Sequence, residues 1–255
     1  MRSGRHSAVV LEQNMIAKDI FSLRIKTPVA AEALPGQFIN LYSADPGKML
    51  PRPISICDAD PGEGTLRMVY RIAGAGTMEF SRLEAGDEID ILGPLGNGFP
   101  DMSGRRVMLI GGGIGIPPML YLAKKYGTDS VAVLGYRDEA FLLSDFGQTG
   151  CSILTATEDG SMGTKGTVID AIKASDEKAD VIFACGPLPM LRAVAAYAEA
   201  NDIRCFVSME ERMACGVGAC LGCITKTKDV DDHSQVKNAR ICKDGPVFDS
   251  GEVAL

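Results

Sequence analysis

The chain has 255 residues, of which 46% are hydrophobic and 23% charged, and this composition excludes a disordered polypeptide. Its 26 Lys and Arg against 33 Asp and Glu give a net charge of −7 without any basic block, which excludes nucleic acid as a partner because phosphate neutralisation needs clustered cations. No apolar run is long enough for a signal-peptide core or a membrane span, so we expect a cytoplasmic protein with no membrane partner. Thiols stay reduced there, so the eight cysteines are expected as core residues, metal ligands or redox groups rather than disulfides.

The first part of the chain, residues 1–101, contains short segments in which apolar and polar residues alternate. Residues 21–25 and 66–70 are examples, and Pro-Gly and Asp-Pro-Gly turn signals separate such segments. This spacing predicts an antiparallel β-barrel or a β-sandwich. One helix is predicted over about residues 77–83.

The second part, residues 102–209, alternates short apolar runs with helical stretches. The runs cover residues 107–110, 131–134, 152–155, 181–184 and 205–208, and the helical stretches cover 117–126, 139–146, 166–174 and 187–200. Such alternation predicts a parallel sheet with helices on both faces. Ligands of these sheets bind outside the carboxyl ends of the strands.

The third part, residues 210–255, holds four of the eight cysteines and few large apolar side chains. Cys215, Cys220, Cys223 and Cys242 follow the plant-type [2Fe–2S] ligand spacing C-x4-C-x2-C with a distant fourth cysteine. The glycines within residues 216–222 permit the close backbone approach that such a loop needs. A structural zinc site is an alternative, although zinc ribbons usually have two C-x2-C pairs, and four free thiols are another.

Two glycine-rich turns follow predicted strands and open predicted helices. In the first, Gly111, Gly113 and Gly115 precede Pro118 and resemble a dinucleotide-binding turn whose third glycine is replaced by proline. The second is Cys185-Gly186-Pro187, which is expected to line the same crevice. The alternatives are a tight turn that merely packs well and, for Cys185, a small buried residue.

The segment 135–139 follows another predicted strand and contains acidic residues after Arg137. An acidic residue at this place binds the ribose 2′-hydroxyl and favours NAD over NADP, whereas the arginine favours NADP. In the first part of the chain, Arg52, Arg71 and the helix start at Gly76-Thr77 form a set suited to a pyrophosphate, and Ser55 suits a ring nitrogen. Each alone is more often a surface arginine or a turn.

The order of motifs resembles that of the ferredoxin–NADP reductase superfamily: R-P-x-S, G-x-G-T, G-P-L-G-x-G-F at residues 93–99, G-x-G-x-x-P and C-G-P. The run E-R-M-A-C-G-V-G-A-C-L-G-C is similar to the electron transfer subunits of dihydroorotate dehydrogenase B. The resemblance covers essentially the whole chain. One departure is Ile54, which stands where many members of the superfamily have an aromatic residue that stacks on the flavin, so the stacking group is left open.

The resemblance implies a β-barrel FAD-binding domain in residues 1–101, an α/β parallel-sheet NAD-binding domain in residues 102–209 and a small [2Fe–2S] module in residues 210–255. The residues that it assigns to FAD are Arg52, Pro53, Ile54, Ser55, Val69, Tyr70, Arg71, Gly76 and Thr77. Those that it assigns to NAD are Gly111, Gly113, Gly115, Cys185, Gly186 and Pro187. The iron ligands that it implies are Cys215, Cys220, Cys223 and Cys242.

The resemblance further implies an oxidoreductase subunit of a hetero-oligomer in pyrimidine biosynthesis. An FMN-containing partner would oxidise dihydroorotate, and the electrons would pass through the cluster and FAD to NAD⁺. His6 lies near the terminus and His233 in a polar stretch, so we expect no catalytic base for the substrate on this chain. Two alternatives are a subunit of another FAD/[2Fe–2S] reductase, linked to ferredoxin or sulfur, and a non-enzymatic binding module stapled by zinc.

Overall fold

Residues 6–95 form a closed antiparallel barrel in a computed structural model of the chain, which describes residues 4–137, 139–230 and 235–255. The strand order around the barrel is β1-β2-β5-β4-β3-β6. The elements are β1 (His6–Ala17), β2 (Ile20–Lys26), β3 (Phe38–Leu41), β4 (Arg52–Asp60), β5 (Thr65–Arg71), α1 (Ala75–Phe80) and β6 (Glu88–Leu95), with a 3-10 helix at Pro28–Glu32.

Alternation of side chains along the strands fills this barrel. Leu23 and Ile25 of β2 and Leu66 and Met68 of β5 are fully buried in its interior, because successive strand residues point to opposite faces. Of the two architectures that the alternation allowed, the barrel is therefore the one that forms. The predicted helix is present but begins two residues earlier than expected and ends at Phe80.

The second unit is a mostly parallel sheet in the order β10-β9-β8-β7-β11-β12-β15. Its elements are β7 (Val107–Gly112), α2 (Ile116–Tyr126), β8 (Ser130–Tyr136), α3 (Leu143–Gly147), β9 (Ser152–Thr157), β10 (Thr164–Lys165), α4 (Val168–Lys173), β11 (Val181–Cys185), α5 (Leu188–Ala200) and β12 (Arg204–Ser208). The predicted parallel sheet is confirmed. Helix α3 is shorter than expected because Leu142 adopts a left-handed conformation with φ 64°, so the helix begins only after it.

The C-terminal residues form β13 (Ile224–Lys226), β14 (Asn238–Arg240) and β15 (Val247–Asp249). Strands β13 and β14 pair with each other, whereas β15 runs antiparallel beside β12 and extends the second sheet. No motif in the sequence predicts this pairing. It attaches the end of the cysteine-containing segment to the parallel sheet.

Polar contacts fix the barrel against the second unit. Arg67 of β5 pairs with Asp145 of α3, and Asp58 of β4 pairs with Lys124 of α2. The hydroxyl of Tyr121 donates a hydrogen bond to the carbonyl oxygen of Ala33 at 3.1 Å. Ile114, just after β7, and Ser208, at the end of β12, share a cavity with residues of β4 and β5, so these strand ends lie beside the barrel. Within the described ranges, no helix is long and apolar enough to cross a membrane.

Candidate functional site

A cavity of about 500 Å³ opens beside the barrel, and its first wall comes from β4, β5 and the start of α1. All nine residues that the sequence analysis assigned to FAD line it: residues 52–55, 69–71 and 76–77. Three segments that are separate in sequence therefore converge because β4 and β5 are neighbouring strands of the barrel.

The polar end of this cavity is built around Arg52. A Cβ atom added at Gly76 would lie within 2.7 Å of the guanidinium carbon of Arg52, so the arginine packs directly on the glycine backbone. The Thr77 hydroxyl accepts hydrogen bonds from the amides of Ala73 at 2.8 Å and Gly74 at 3.2 Å, which orders the turn. Arg52 and Arg71 supply two positive charges, while Ile54 and Val69 supply apolar surface. This combination fits a flavin that carries a pyrophosphate.

The opposite wall of this cavity was not found from the sequence. It is formed by Phe38, Ile114, Ser208, Met209, Glu210, Glu211, Met213 and Pro246. The residues after β12 follow the carboxyl end of a parallel strand. Only the general rule that ligands bind at these strand ends could have predicted them. Desolvation raises the pKa of the Glu210 carboxyl, although the residue keeps substantial exposure to solvent.

A second cavity of about 550 Å³ lies at the carboxyl ends of β7, β8 and β9 and at the start of α5. Gly113 and Pro187, two of the six residues assigned to NAD, line it. The other four, Gly111, Gly115, Cys185 and Gly186, are buried behind the lining.

The two glycine-rich turns meet behind this nucleotide cavity. A Cβ atom at Gly115 would lie 2.6 Å from the Gly186 amide nitrogen and still closer to the carbonyl oxygen of Cys185. The two turns thus touch through a backbone contact that only glycine permits at residue 115. Cys185 is fully buried, and burial raises the pKa of its thiol, so the thiol stays protonated.

Arg71 connects the two cavities, because its side chain lines both. It stands at the end of β5 and is exposed, so its charge is available to a ligand in either cavity. A ring bound in the nucleotide cavity and a flavin bound in the first cavity can therefore approach each other beside this residue.

Two acidic residues line the nucleotide cavity. Glu139 belongs to the segment that the sequence analysis singled out, but its carboxylate accepts a hydrogen bond from the amide of Lys18 at 2.9 Å. Asp138 lies outside the described residues. Glu158, which follows β9, was missed by the sequence analysis although it also stands after a parallel strand.

Backbone amides donate hydrogen bonds to the sulfur atoms of the clustered cysteines. The amide of Gly218 donates to the sulfur of Cys242 at 3.1 Å, and the amide of Cys242 donates to the sulfur of Cys223 at 3.4 Å. The thiol of Cys220 lies close to that of Cys215, and the thiol of Cys242 lies close to those of Cys223 and Cys215.

Four cysteine thiols gathered in this way would suit a [2Fe–2S] cluster, which takes four cysteine ligands. Burial opposes ionisation of Cys215, but amides of Val217, Cys220 and Ala219 and the Cys220 thiol lower its pKa to about 6, which favours the ligating thiolate. Among residues 4–137, 139–230 and 235–255, no group of three or more His, Cys, Asp or Glu side chains is already arranged to hold a metal ion.

Two family models match parts of this chain that contain proposed sites. The family model described as "Oxidoreductase FAD-binding domain" matches residues 7–99, and the one described as "Iron-sulfur cluster binding domain of dihydroorotate dehydrogenase B" matches residues 210–254. The electron transfer subunit of dihydroorotate dehydrogenase B (NAD(+)) from Streptococcus mutans is 40% identical, with 98% of each chain covered. Its counterpart from Bacillus caldolyticus is 41% identical, with 99% of each chain covered.

The chain belongs to the family of dihydroorotate dehydrogenase B electron transfer subunits. Membership confirms the predicted fold class, FAD and the iron–sulfur cluster as cofactors, and an NAD-linked oxidoreductase subunit. A solved structure of the NADH-dependent reduced ferredoxin–NADP oxidoreductase has the same architecture. It is 31% identical with a TM-score of 0.85, covering 97% of this chain and 89% of that chain.

Of the two histidines, His6 lies away from these sites. His6 sits at the start of β1, where its ring forms hydrogen bonds with the hydroxyl of Thr27 at 3.1 Å and the carbonyl oxygen of Gly4 at 3.2 Å. His233 lies outside the described residues. His6 therefore has a structural role. The described residues that line the two cavities are suited to binding cofactors.

Proposed function

We propose that this chain is the electron transfer subunit of an NAD-linked dihydroorotate dehydrogenase in pyrimidine biosynthesis, and that it works with an FMN-containing catalytic subunit that oxidises dihydroorotate. The observation that carries the proposal is that the three sites adjoin each other. Met213, two residues before Cys215, lines the flavin cavity, and Arg71 lines both the flavin and the nucleotide cavity. When bound, the cluster carries single electrons and FAD collects two of them for transfer to NAD⁺ as a hydride.

Each unit of the chain has one task in this proposal. Residues 1–101 hold FAD, residues 102–209 hold the nicotinamide nucleotide, and residues 210–255 hold the cluster. Arg52 and Arg71 neutralise phosphate charge, Ser55 faces the flavin ring, and Cys215, Cys220, Cys223 and Cys242 ligate iron. The eight free thiols support a reducing compartment, which we propose is the cytoplasm.

Co-expression with a candidate FMN-containing catalytic subunit tests this function. We expect a stable complex that forms orotate from dihydroorotate and reduces one NAD⁺ for each substrate consumed. The purified chain alone should oxidise NADH with an artificial acceptor but form no orotate. Orotate formation by the single chain, or a complex that never couples dihydroorotate to NAD⁺, contradicts the proposal.

A ferredoxin-linked role is the second candidate, because the ferredoxin–NADP oxidoreductase structure aligns over 97% of this chain. The two functions differ in their electron partners. Rapid reduction of ferredoxin by NADH in the absence of the dihydroorotate-oxidising subunit favours the second candidate. Slow reduction under the same conditions, together with coupled orotate formation in the complex, favours the first.

Replacement of Glu158 by glutamine should weaken the preference for NADH over NADPH by about tenfold, which corresponds to about 1.4 kcal/mol. The carboxylate of Glu158 lines the nucleotide cavity, where it can accept a hydrogen bond from a ribose hydroxyl and repels an extra phosphate. Arg137 lines the same cavity and then attracts that phosphate without opposition. The ratio of kcat/KM for NADH and NADPH measures the effect.

Glu199→Gln is the matched control, because Glu199 is exposed on α5 and lines neither cavity. It should leave the ratio unchanged. An unchanged ratio in the Glu158→Gln variant would show that the ribose is read elsewhere.

A further inference from the structure

Strand β3 has all four of its residues buried, although it borders the barrel interior on one face only. Ile39 and Leu41 belong to the apolar cluster inside the barrel. Phe38 belongs to the cluster that also contains Cys223 and Cys242. Because strand side chains alternate, Asn40 shares the outer face with Phe38. The segment that carries the iron ligands therefore covers the outer face of β3.

Asn40 is a polar side chain with no exposure to solvent, placed against this segment. Its Nδ2 atom donates a hydrogen bond to the carbonyl oxygen of Cys215 at 3.2 Å. Its Oδ1 atom is buried and has no hydrogen-bond partner among the described residues. Burying an unpaired amide oxygen costs free energy that an apolar residue at this position would avoid. Packing alone therefore does not explain the asparagine.

Gly216 shows how closely the two segments approach. It has φ 71°, and a Cβ atom at this position would lie 2.9 Å from Oδ1 of Asn40 and still closer to Nδ2. The loop thus passes directly over the amide of Asn40, and a side chain at residue 216 would displace it. The contact joins positions that are 175 residues apart in the sequence.

The same strand is paired with the wall of the flavin cavity. Asn40 stands opposite Pro53 in the β3–β4 register, and Phe38 stands opposite Ser55. Both Pro53 and Ser55 line the flavin cavity. Asn40, which holds the Cys215 loop, therefore lies on the strand directly beside the residues that are proposed to face the flavin.

A second asparagine holds the other end of the cluster segment. The side chain of Asn97 donates to the carbonyl oxygen of Asp244 at 2.9 Å, and its backbone amide donates to that of Gly245 at 2.7 Å. These residues follow Cys242. Asn40 and Asn97 together tether both ends of the ligand-bearing segment to the barrel.

We propose that Asn40 is a positioning residue that holds the Cys215 end of the cluster loop against the flavin-binding strands and so sets the rate of electron transfer between the two sites. This proposal rests on the proposed function only in taking FAD and the cluster as the two redox sites. The Nδ2 group of Asn40 fixes the carbonyl group of Cys215 through its hydrogen bond. Because Asn40 is buried, water is kept away from this contact. Groups around metal ligands control ligand orientation and local polarity, which tune the metal.

The test uses the purified holoprotein with NADH as the reductant and needs no partner subunit. NADH delivers two electrons and becomes NAD⁺; the oxidised cluster accepts one of these electrons and the other remains on the flavin. Stopped-flow absorbance follows flavin bleaching and cluster reduction separately. The EPR spectrum of dithionite-reduced protein reports the environment of the cluster without any enzymatic turnover.

Two substitutions separate loss of the anchor from loss of the fold. Asn40→Ala removes the amide, and Asn40→Asp keeps the shape but removes the donor to the Cys215 carbonyl. In both, we expect cluster reduction to slow by about tenfold per cluster present, with altered EPR g values, while flavin reduction by NADH stays within about twofold of the wild-type rate. Asn201→Ala is the matched control, because the exposed Asn201 amide donates to Tyr197 on α5, at 2.8 Å, and lines neither cavity.

Wild-type rates and an unchanged EPR spectrum in both Asn40 variants overturn the proposal. Joint loss of flavin and cluster in both variants also overturns it, since Asn40 then supports the whole fold rather than the cluster loop. If NADH fails to reduce the wild-type flavin, the proposed function fails instead. The EPR comparison of the dithionite-reduced proteins still tests Asn40 in that case.

Discussion

A chain carrying Cys223→Ser is expected to lose its iron–sulfur cluster while it keeps its FAD and its oxidation of NADH by an artificial acceptor. Cys223 is buried, and its sulfur accepts a hydrogen bond from the Cys242 amide at 3.4 Å. A serine hydroxyl at this position is a poor iron ligand because it does not ionise near neutral pH. The cluster would then lose one of its four proposed cysteine ligands.

The consequence for electron transfer is large because the cluster is the proposed entry point for electrons. We expect NAD⁺ reduction by the complex with dihydroorotate to fall at least about 100-fold, since even changes to groups around metal ligands cost about 10- to 100-fold. Binding of the cluster also stabilises the loop that contains its ligands. The variant should therefore expose its C-terminal segment to protease more readily than the wild type.

Iron and sulfide analysis, together with the visible spectrum, measures the loss. Cys57→Ser is the matched control, because Cys57 is a fully buried free cysteine in the barrel, away from the loop. It should keep the iron and the coupled activity. Full iron content in Cys223→Ser protein, or zinc in place of iron in the wild type, would contradict the assignment of the cluster.

The parts of the site that the sequence predicted are those in which chemistry restricts the residue type over a short stretch. The cysteine spacing from Cys215 to Cys223 is such a case, because thiolates that share a cluster must come from one tight loop. The flavin segments at residues 52–55 and 76–77 are another, since a cation and a glycine turn have few substitutes beside a pyrophosphate. These residues do line one cavity.

The parts that the sequence did not predict depend on segments that meet only in the folded chain. Strand β15 is three residues long and has no motif, yet its pairing with β12 attaches the C-terminal segment to the parallel sheet. Asn40 resembles any polar residue of a strand until Cys215 is placed beside it. Local periodicity describes neighbours a few residues apart, so it carries no information about such contacts.

The nucleotide cavity illustrates an intermediate case. The two glycine-rich turns were predicted to line one crevice; they touch at Gly115 and Cys185, and Gly113 and Pro187 line the cavity. However, residues at the surface of the cavity, such as Glu158, follow a strand whose end has no recognisable motif. Glycines in the sequence indicate where two backbone segments must approach closely. The identity of the side chains that contact the ligand instead depends on which strands are neighbours in the sheet.

Replacement of Gly115 by alanine should raise the KM for NADH by about 100-fold and lower the free energy of unfolding by about 2 kcal/mol. Gly115 has φ −81°, a conformation open to any residue, so only space is at issue. The added Cβ atom would meet the carbonyl group of Cys185 and lie 2.6 Å from the amide nitrogen of Gly186, and this backbone is fixed by the pairing of β11 with β7. The two turns must therefore separate, which displaces Gly113 and Pro187 from the cavity lining.

Flavin content and the unfolding midpoint in urea separate the two effects, since the flavin cavity should retain FAD when the nucleotide cavity is disturbed. Gly147→Ala provides the comparison, because a Cβ atom at Gly147 on α3 meets nothing within 4 Å. It should keep the wild-type KM and stability. A wild-type KM for Gly115→Ala would mean that the turns part without moving the lining, and that nicotinamide binding does not depend on their contact.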